Sequence, residues 1–365
     1  MRVLLFFAIL AVAPAQPAGD VILHQTFRYD TEGWVFMGQG GAVRTRPDLT
    51  LALTYELGKQ QMAMAVLPTA GRIAAMQRMR FAVKPDHNTA LGVLLSEKKP
   101  GGGNYIALFW AHANEWQQVE LTPGDFALSD SPTDPVDADG KLDLDQVEGV
   151  GIFDFALFTQ GAKPEPIVVD KAEGSHALLL RDFEVLSSAP APGGAKPEGI
   201  AIDAFDRGFL RWITPGGMEV GLVATAESPL KEPALRAAYD QIEGRHAALL
   251  RRTGAIDLSA ARRLAFDVAS EHETTLLISI ECVQPGRAVR PRYNQTIFPP
   301  GGKRVFQVNL DLADFERDGS PGAGPEKIDP AQIKSITILD ISATIAGVDG
   351  ERNTIWLGNV RGLPK

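Results

Sequence analysis

The feature that most constrains the fold is an internal repeat, because the chain matches itself with a shift of about 180 residues. The order of the matches is the same in both copies: Phe27 and Phe205, Trp34 and Trp212, Tyr55 and Tyr239, His87 and His272, Tyr105 and Tyr293, Asp154 and Asp340. The shift changes only within polar or Gly/Pro-rich segments, as expected if insertions fall in surface loops. A period of this length predicts two whole domains rather than the short units of a solenoid.

The repeat and the composition divide the chain into four segments. We predict a signal peptide at 1–15, a first domain at 20–186, a linker at 187–199 and a second domain at 200–365. The linker is rich in Pro, Gly and Ala and has nothing to bury, which is typical of a partly stiffened connection. It predicts that the two halves fold separately.

The N-terminus has the pattern of a secretory signal peptide. Arg2 supplies a positive charge, Val3–Val12 is apolar, and Ala13-Pro14-Ala15 offers small residues for cleavage. The apolar run is too short to cross a bilayer, which needs about 20 residues. We therefore expect a secreted or periplasmic protein without a transmembrane segment; an N-terminal core strand is the alternative.

Charge and cysteine content exclude several classes of function. The formal net charge is −9, and nucleic-acid binding needs clustered Lys and Arg, so we expect no nucleic-acid partner. Cys282 is the single cysteine, which rules out an internal disulfide and a cysteine-based metal site. It lies in an apolar run and is predicted to be a small buried side chain.

Within each copy the apolar residues recur with a period near two, which indicates β-strands. Short strands separated by turn residues predict an all-β fold of two tandem antiparallel sandwiches. The predicted strands are Leu51–Leu57, Met79–Val83, Ala90–Ser96, Tyr105–Trp110, Gln117–Thr122, Val147–Phe153 and His176–Val185, and, in the second copy, Ala234–Gln241, Arg263–Val268, Thr274–Val283, Tyr293–Phe298, Val305–Asp311, Ile333–Leu339 and Asn353–Arg361. Gln60–Arg78 is predicted to be a strand pair, and one-turn helices are predicted at Asp257 and Asp329.

Four elements recur in a fixed order and carry a resemblance to a known fold family. Each copy opens with Phe-x(6)-Trp, continues with a strand ending in Asp-Phe (WQQVELTPGDF and VFQVNLDLADF), then LDLDQVEGVGIFD or KIDPAQIKSITILD, and closes with LLLRDFEV or IWLGNVRG. This order resembles the galactose-binding-like jelly roll, most of all family-eleven carbohydrate-binding modules and the complex I intermediate-associated protein domain. The resemblance implies a sandwich that is usually non-catalytic and that often accompanies carbohydrate-active enzymes.

Aromatic and polar side chains on two strands are the candidates for ligand binding. In the first copy Tyr105, Trp110 and Trp116 offer rings on which the C–H faces of a sugar could stack. In the second copy the candidates are Tyr293, Arg292 and Glu281. The alternative is that the two tyrosines border the core and the other residues are a solvated strand face.

The resemblance also implies a structural calcium ion near the first and last strands of such modules. In the second copy Asp203, Asp206 and Asn359 would supply the oxygen ligands that calcium needs. The alternative is that these residues are turn and cap groups. No other cofactor is expected.

The function predicted from these features is non-catalytic binding of a polysaccharide or a cell-envelope glycan by an exported protein. The main alternative is a structural or protein-interaction scaffold of the envelope without a sugar ligand, and an enzyme with a site between the domains is a third. Trp34 and Trp212 are predicted to be core residues because their spacing from Phe27 and Phe205 is the same. His87 and His272 are predicted to hydrogen-bond the turns in which they lie.

Overall fold

A computed structural model describes residues 20–59, 62–129, 131, 133–137, 139–159, 172–190, 198–283, 290–319 and 327–364. The predicted signal peptide and residues 191–197 of the predicted linker lie outside the described residues. In the described part of the chain, no helix has the length and apolar character that a membrane crossing requires.

The first half of the chain folds into two six-stranded antiparallel sheets. Its strands are β1 (Val21–Gln25), β2 (Val35–Gly38), β3 (Ala42–Arg46), β4 (Thr50–Leu57), β5 (Ala63–Pro68), β6 (Arg78–Pro85), β7 (Thr89–Glu97), β8 (Asn104–Ala111), β9 (Gln117–Leu121), β10 (Ala127–Leu128), β11 (Val147–Asp154) and β12 (Gly174–Leu186). Sheet 1A has the order β3-β4-β12-β6-β9 with β1 also paired to β12, and sheet 1B has the order β10-β8-β7-β11-β5-β2. A single helical turn, α1 (Ala156–Thr159), follows β11.

The second half repeats this arrangement. Its strands are β13 (Ile200–Asp203), β14 (Trp212–Ile213), β15 (Met218–Val223), β16 (Ala234–Asp240), β17 (Ala247–Arg252), β18 (Arg263–Ser270), β19 (Leu276–Cys282), β20 (Arg292–Ile297), β21 (Phe306–Asp311), β22 (Glu316–Arg317), β23 (Ile333–Asp340) and β24 (Arg352–Leu363). Sheet 2A has the order β15-β16-β24-β18-β21 with β13 paired to β24, and sheet 2B has the order β14-β17-β23-β19-β20-β22. Helix α2 (Ser342–Ala346) follows β23, at the position of α1. The predicted all-β fold of two antiparallel sandwiches is confirmed.

The period-two pattern works because alternate side chains of a strand point to opposite faces of its sheet. One face of each sheet therefore supplies the core, as β19 illustrates with buried Leu276, Ile278 and Ile280. Trp34 and Trp212 are 1% and 0% exposed, which confirms that both are core residues. Cys282 is buried, as predicted.

All fourteen strands predicted from the pattern are present, with bounds shifted by a residue or two. Gln60–Arg78 was expected to be a strand pair, but the described part of it contains the single strand β5 followed by turns. The helix predicted at Asp329 is a short 3-10 helix, Pro330–Gln332, in which the Asp329 carboxylate accepts a hydrogen bond from Ala331 N. The helix predicted at Asp257 is absent: the carboxylate accepts from Ser259 N, but the turn does not continue.

The two halves are packed together by an exchange of apolar side chains. Trp110, on the outer face of sheet 1B, is 4% exposed and belongs to the core cluster of the second half. Phe209, from the second half, is 4% exposed and belongs to the core cluster of the first half. The backbone also joins there, since Trp110 N donates to Leu210 O at 2.8 Å. Each core therefore contains a ring supplied by the other half.

Buried charges reinforce this junction. Asp125 of the first half lies 2.9 Å from Arg207 Nη1 and 3.2 Å from Arg211 Nη1, both of the second half. Burial by itself would raise the pKa of Asp125, but the two guanidinium groups outweigh it and lower that pKa to about 2. Burial, followed by repulsion from the Arg211 guanidinium, lowers the pKa of Arg251 in the same cluster to about 10. These contacts favour two sandwiches that stabilise each other over two halves that fold separately.

Candidate functional site

Two of the three aromatic residues predicted to bind sugar in the first copy have no free ring. Tyr105 is 3% exposed, and its hydroxyl donates to Asp137 Oδ2. Burial, followed by the hydrogen bond to Asp137 and then by the charge of that carboxylate, raises the pKa of the phenol. Trp110 is covered by the second half of the chain, as described above. The prediction that these two residues stack on a ligand is wrong because β8 is buried on both faces.

Trp116 is the predicted aromatic residue that remains at the surface. It lies just before β9 and is half-buried, whereas the other four tryptophans of the chain are at most 6% exposed. Its ring lies over the outer face of sheet 1A, with the Arg181 guanidinium 4.2 Å and Lys84 Nζ 5.9 Å from the ring centroid. Both distances are within the range of a cation–π contact.

The surface around this ring combines a small apolar floor with polar side chains. Arg181 of β12 pairs with Ala82 of β6, and Ala82 pairs with Gln118 of β9. Ala82 is fully buried although it points outward, because the long side chains beside it cover its methyl group. We call this surface the Trp116 face; its members are Trp116, Lys84, Arg181, Ala82, Gln118, Arg80 and Glu184.

One edge of the Trp116 face is held in place by an ion pair. Arg80 Nε donates to Glu184 Oε2 at 2.5 Å across β6 and β12. His24 of β1 lies 3.6 Å from the other oxygen of the same carboxylate. Arg181 Nε lies 3.6 Å from Asp182 Oδ2, an exposed carboxylate beside the face. Within the face itself the basic side chains outnumber Glu184, its one carboxylate, on a protein with a net charge of −9.

The predicted residues of the second copy lie elsewhere, on sheet 2B. Tyr293 is fully buried, which contradicts its prediction as a ligand-binding residue. Arg292 and Glu281 are directly opposite each other on β20 and β19, with Arg292 Nε 3.2 Å from Glu281 Oε2. Their side chains are on the outer face of the sheet. Tyr293, the aromatic residue predicted to bind ligand with them, is buried on the opposite face. Glu281 and Arg292 form a surface ion pair.

The surface of sheet 2A that corresponds to the Trp116 face is closed. Trp356 of β24 points outward there, but it is only 6% exposed and Lys303 Nζ lies 5.3 Å from its ring centroid. Gly358 stands where the first copy has Arg181, and the Glu232 side chain fills the space above it. Burial, followed by the nearby Asp267 charge, raises the pKa of Glu232. Sequence reasoning missed Trp356, although its alternation with core residues Ile355 and Leu357 marks it as outward-facing.

One of the residues predicted to bind calcium, Asp203, is engaged by two arginine side chains. Asp203 is 4% exposed; one carboxylate oxygen accepts from Arg211 Nη2 at 2.9 Å, and the other lies 3.7 Å from Arg251 Nε. Two adjacent positive charges would repel a calcium ion. Asp206 is exposed, and the backbone carbonyl oxygen of Asn359 accepts a hydrogen bond from Arg361 Nη1. Asp203 is therefore part of the ion-pair cluster at the junction, and the calcium prediction is wrong for this residue.

A different cluster brings potential metal ligands together at one end of the first sandwich. Asp86 and His87 lie in the turn between β6 and β7, and His176 lies on β12. Asp86 Oδ1 is 2.8 Å from His87 Nδ1 and 3.0 Å from His176 Nδ1. His87 thus contacts its own turn, as the sequence predicted, but His176 was not expected beside it.

No family model matches the chain, and no curated protein matches it in sequence. Solved structures that are similar to it include a family 11 carbohydrate-binding module from Clostridium thermocellum in complex with a β-1,3-1,4-mixed-linked tetrasaccharide, at 14% identity and a TM-score of 0.35, covering 47% of this chain and all of that one. The tandem family 22 modules of Xyn10C from Paenibacillus barcinonensis match at 12% identity and a TM-score of 0.32, covering 97% of this chain and all of that one. An agarase matches at 15% identity and a TM-score of 0.34, over 46% of this chain and 26% of its own.

Carbohydrate-binding modules are thus among the structures to which this chain is similar, as the resemblance in the sequence predicted. Sequence identities of 12–15% with these structures assign no ligand to the chain. The resemblance to the complex I intermediate-associated protein domain stays a prediction.

Proposed function

We propose that the chain is an exported, non-catalytic protein that binds carbohydrate on the Trp116 face of its first domain. The observation that carries the proposal is the position of Trp116, which is the most exposed of the five tryptophans and lies on a sheet surface surrounded by hydrogen-bonding side chains. The other side chains that we propose to contact the sugar belong to the same surface.

The chemistry of the Trp116 face suits a sugar polymer. An indole ring offers a large apolar surface for the C–H faces of a pyranose. Arg181, Lys84 and Gln118 beside it offer N–H donors for sugar hydroxyls, and Glu184 offers acceptors. Because Arg181 stands over the ring at 4.2 Å, an incoming sugar either displaces the guanidinium or uses the remaining ring surface.

The closed counterpart on sheet 2A makes the first domain the main binding unit. Trp356 is covered by Lys303, and Val305, which corresponds to Trp116, cannot stack on a sugar ring. We therefore expect most of the affinity to reside in the first domain.

The test is affinity electrophoresis and a glycan array with the purified protein. Trp116→Ala is expected to lose the retention that the unaltered protein shows, because it removes the ring but no core contact. Tyr29→Ala is the matched control: Tyr29 is an aromatic residue of the same domain, 86% exposed, outside the Trp116 face. Equal retention of Trp116→Ala and the unaltered protein would show that the sugar, if bound, lies elsewhere.

A scaffold without a sugar ligand is the second candidate, and one surface favours it. Strand β2 exposes Val35 (51%) and Met37 (48%), which pair with Val66 and Met64 of β5 on the outer face of sheet 1B. An apolar strip of this kind suits a protein partner better than a glycan. If the protein binds no polysaccharide or array glycan, the scaffold becomes the better proposal.

A further inference from the structure

The cluster at Asp86, His87 and His176 has the composition and spacing of a metal site. Among the described residues, it is the one group of three or more His, Cys, Asp and Glu side chains whose potential ligand atoms converge, all within 4.8 Å of one another. The two imidazole rings lie 4.1 Å apart between centroids. Each histidine side chain is 15% exposed and the Asp86 side chain is 38% exposed, so the cluster is sheltered but open to solvent on one side.

We propose that the first domain binds a divalent transition-metal ion, with Zn²⁺ the best fit, through Asp86 Oδ1, His87 Nδ1 and His176 Nδ1. Two imidazoles and a carboxylate form a ligand set typical of zinc. Three protein ligands leave one position of a tetrahedron for water or for a group of another molecule. This site goes beyond the proposed glycan binding and does not depend on it.

The distances between the ligand atoms fit such an ion with little movement. Bonds of about 2.0–2.1 Å in a tetrahedron place neighbouring ligand atoms roughly 3.3 Å apart. The carboxylate oxygen lies 2.8 and 3.0 Å from the two nitrogens. Side-chain shifts of about half an ångström therefore open the space for the metal, which takes the place of the protons shared between these atoms.

The second layer of contacts holds the first ligands in a suitable orientation. His87 Nε2 lies 3.0 Å from Asp154 Oδ2, and a carboxylate beside the second ring nitrogen is the kind of partner that orients an imidazole ligand. Asp154 is fully buried and accepts hydrogen bonds from Tyr55 Oη at 2.7 Å and Thr89 Oγ1 at 2.6 Å. Asp154 is fixed by these partners and faces Nε2 of His87. The other ring nitrogen, Nδ1, therefore remains on the side of Asp86, where the metal would lie.

Asp86 is held at one carboxylate oxygen by the backbone and directs the other towards the two histidines. Its Oδ2 accepts a hydrogen bond from Ala177 N at 2.7 Å, on the strand that carries His176. Its Oδ1 faces both imidazoles. The carboxylate therefore already presents a single ligand atom to the two histidines.

The second copy shows that the fold does not need a histidine at the position of His176. Asn353 stands in the register position of His176, opposite Tyr239 just as His176 is opposite Tyr55. Its amide donates to Thr274 Oγ1 at 2.8 Å, and Tyr239 still donates to Asp340 at 2.6 Å. The buried Tyr–Asp pair is common to both domains, whereas the histidine pair belongs to the first alone within the described residues. Because the second copy has Asn at this position, His176→Asn is a conservative variant of the first.

The experiment is equilibrium dialysis of the untagged full chain against Zn²⁺, with elemental analysis of the bound metal. The unaltered protein is expected to bind one equivalent. His176→Asn, which introduces the side chain of the second copy, is expected to weaken that binding by at least about 10–100-fold, the loss typical even of an outer-shell change. His272→Asn is the matched control, because His272 is 43% exposed and pairs with Glu351 outside the cluster; it should bind zinc as the unaltered protein does.

The unaltered protein gives an independent readout if His176→Asn does not fold. Bound Co²⁺ should give the visible absorption of a four-coordinate ion, and Zn²⁺ should protect His87 and His176, but not His272, from acylation by diethyl pyrocarbonate. The proposal is wrong if the unaltered protein binds no zinc. It is also wrong if folded His176→Asn binds zinc as tightly as the unaltered protein, or if zinc protects none of the cluster histidines.

Discussion

Phe209 offers the sharpest test of the coupling between the two halves of the chain. It belongs to the second half by sequence, yet its side chain packs in the core of the first half, with its ring edge-on to Phe109 at 6.2 Å between centroids. Phe209→Ala should therefore destabilise a domain to which the residue does not belong. If the domains were independent, this substitution would leave the stability of the first domain unchanged.

The magnitude follows from burial. Phe209 is 4% exposed, and truncation of a buried phenylalanine to alanine costs about 3–5 kcal/mol. Because each 1.4 kcal/mol is a factor of ten in an equilibrium constant, the opening of the first domain should become roughly 10²–10⁴ times more frequent.

Hydrogen exchange followed by mass spectrometry measures this opening strand by strand. Amides of β7 and β8 should exchange faster in Phe209→Ala, since global opening sets the protection of core strands. Phe298→Ala is the control, because Phe298 is a phenylalanine of the second half that is 67% exposed. If β7 and β8 keep their protection in Phe209→Ala while only second-half strands lose theirs, the exchange of side chains does not stabilise the first domain and the reasoning is refuted.

Two further predictions concern stability. The pKa of Asp125 in the folded protein is about 2, below its ordinary value of 3.8, so its stabilising contribution of about 2 kcal/mol is complete above pH 4 and disappears as the pH falls towards 2. Asp125→Asn should therefore be less stable near neutral pH but lose less stability than the unaltered protein between pH 4 and 2 in urea titrations; parallel curves would contradict this. Trp34→Ala and Trp212→Ala should each destabilise the protein by about 3–5 kcal/mol, measured by urea unfolding, because both rings are buried. A normal unfolding midpoint for either variant would contradict its role in the core.

The elements that the sequence predicted well are those in which local pattern and tertiary burial agree. In β6, β7 and β11 the alternation of apolar residues places one face in the core, so strand bounds follow from the pattern. The prediction for Gln60–Arg78 was wrong because an apolar pattern does not distinguish a second strand from a buried turn. Ile73 and Met76 are fully buried there without belonging to a strand.

The sequence by itself determined the duplication, the strands and the residues on each strand that face the core. Alternation assigns a side chain to one of two faces, but it does not tell what covers the outer face. Only the tertiary structure decided that the second half covers Trp110, that Arg211 pairs with Asp203, and that Trp116 stays at the surface. It also brought His176 to Asp86, 90 residues away in the chain, because β12 runs beside β6. Contacts between distant segments depend on how the sheets pack, and a local pattern carries no information about that packing.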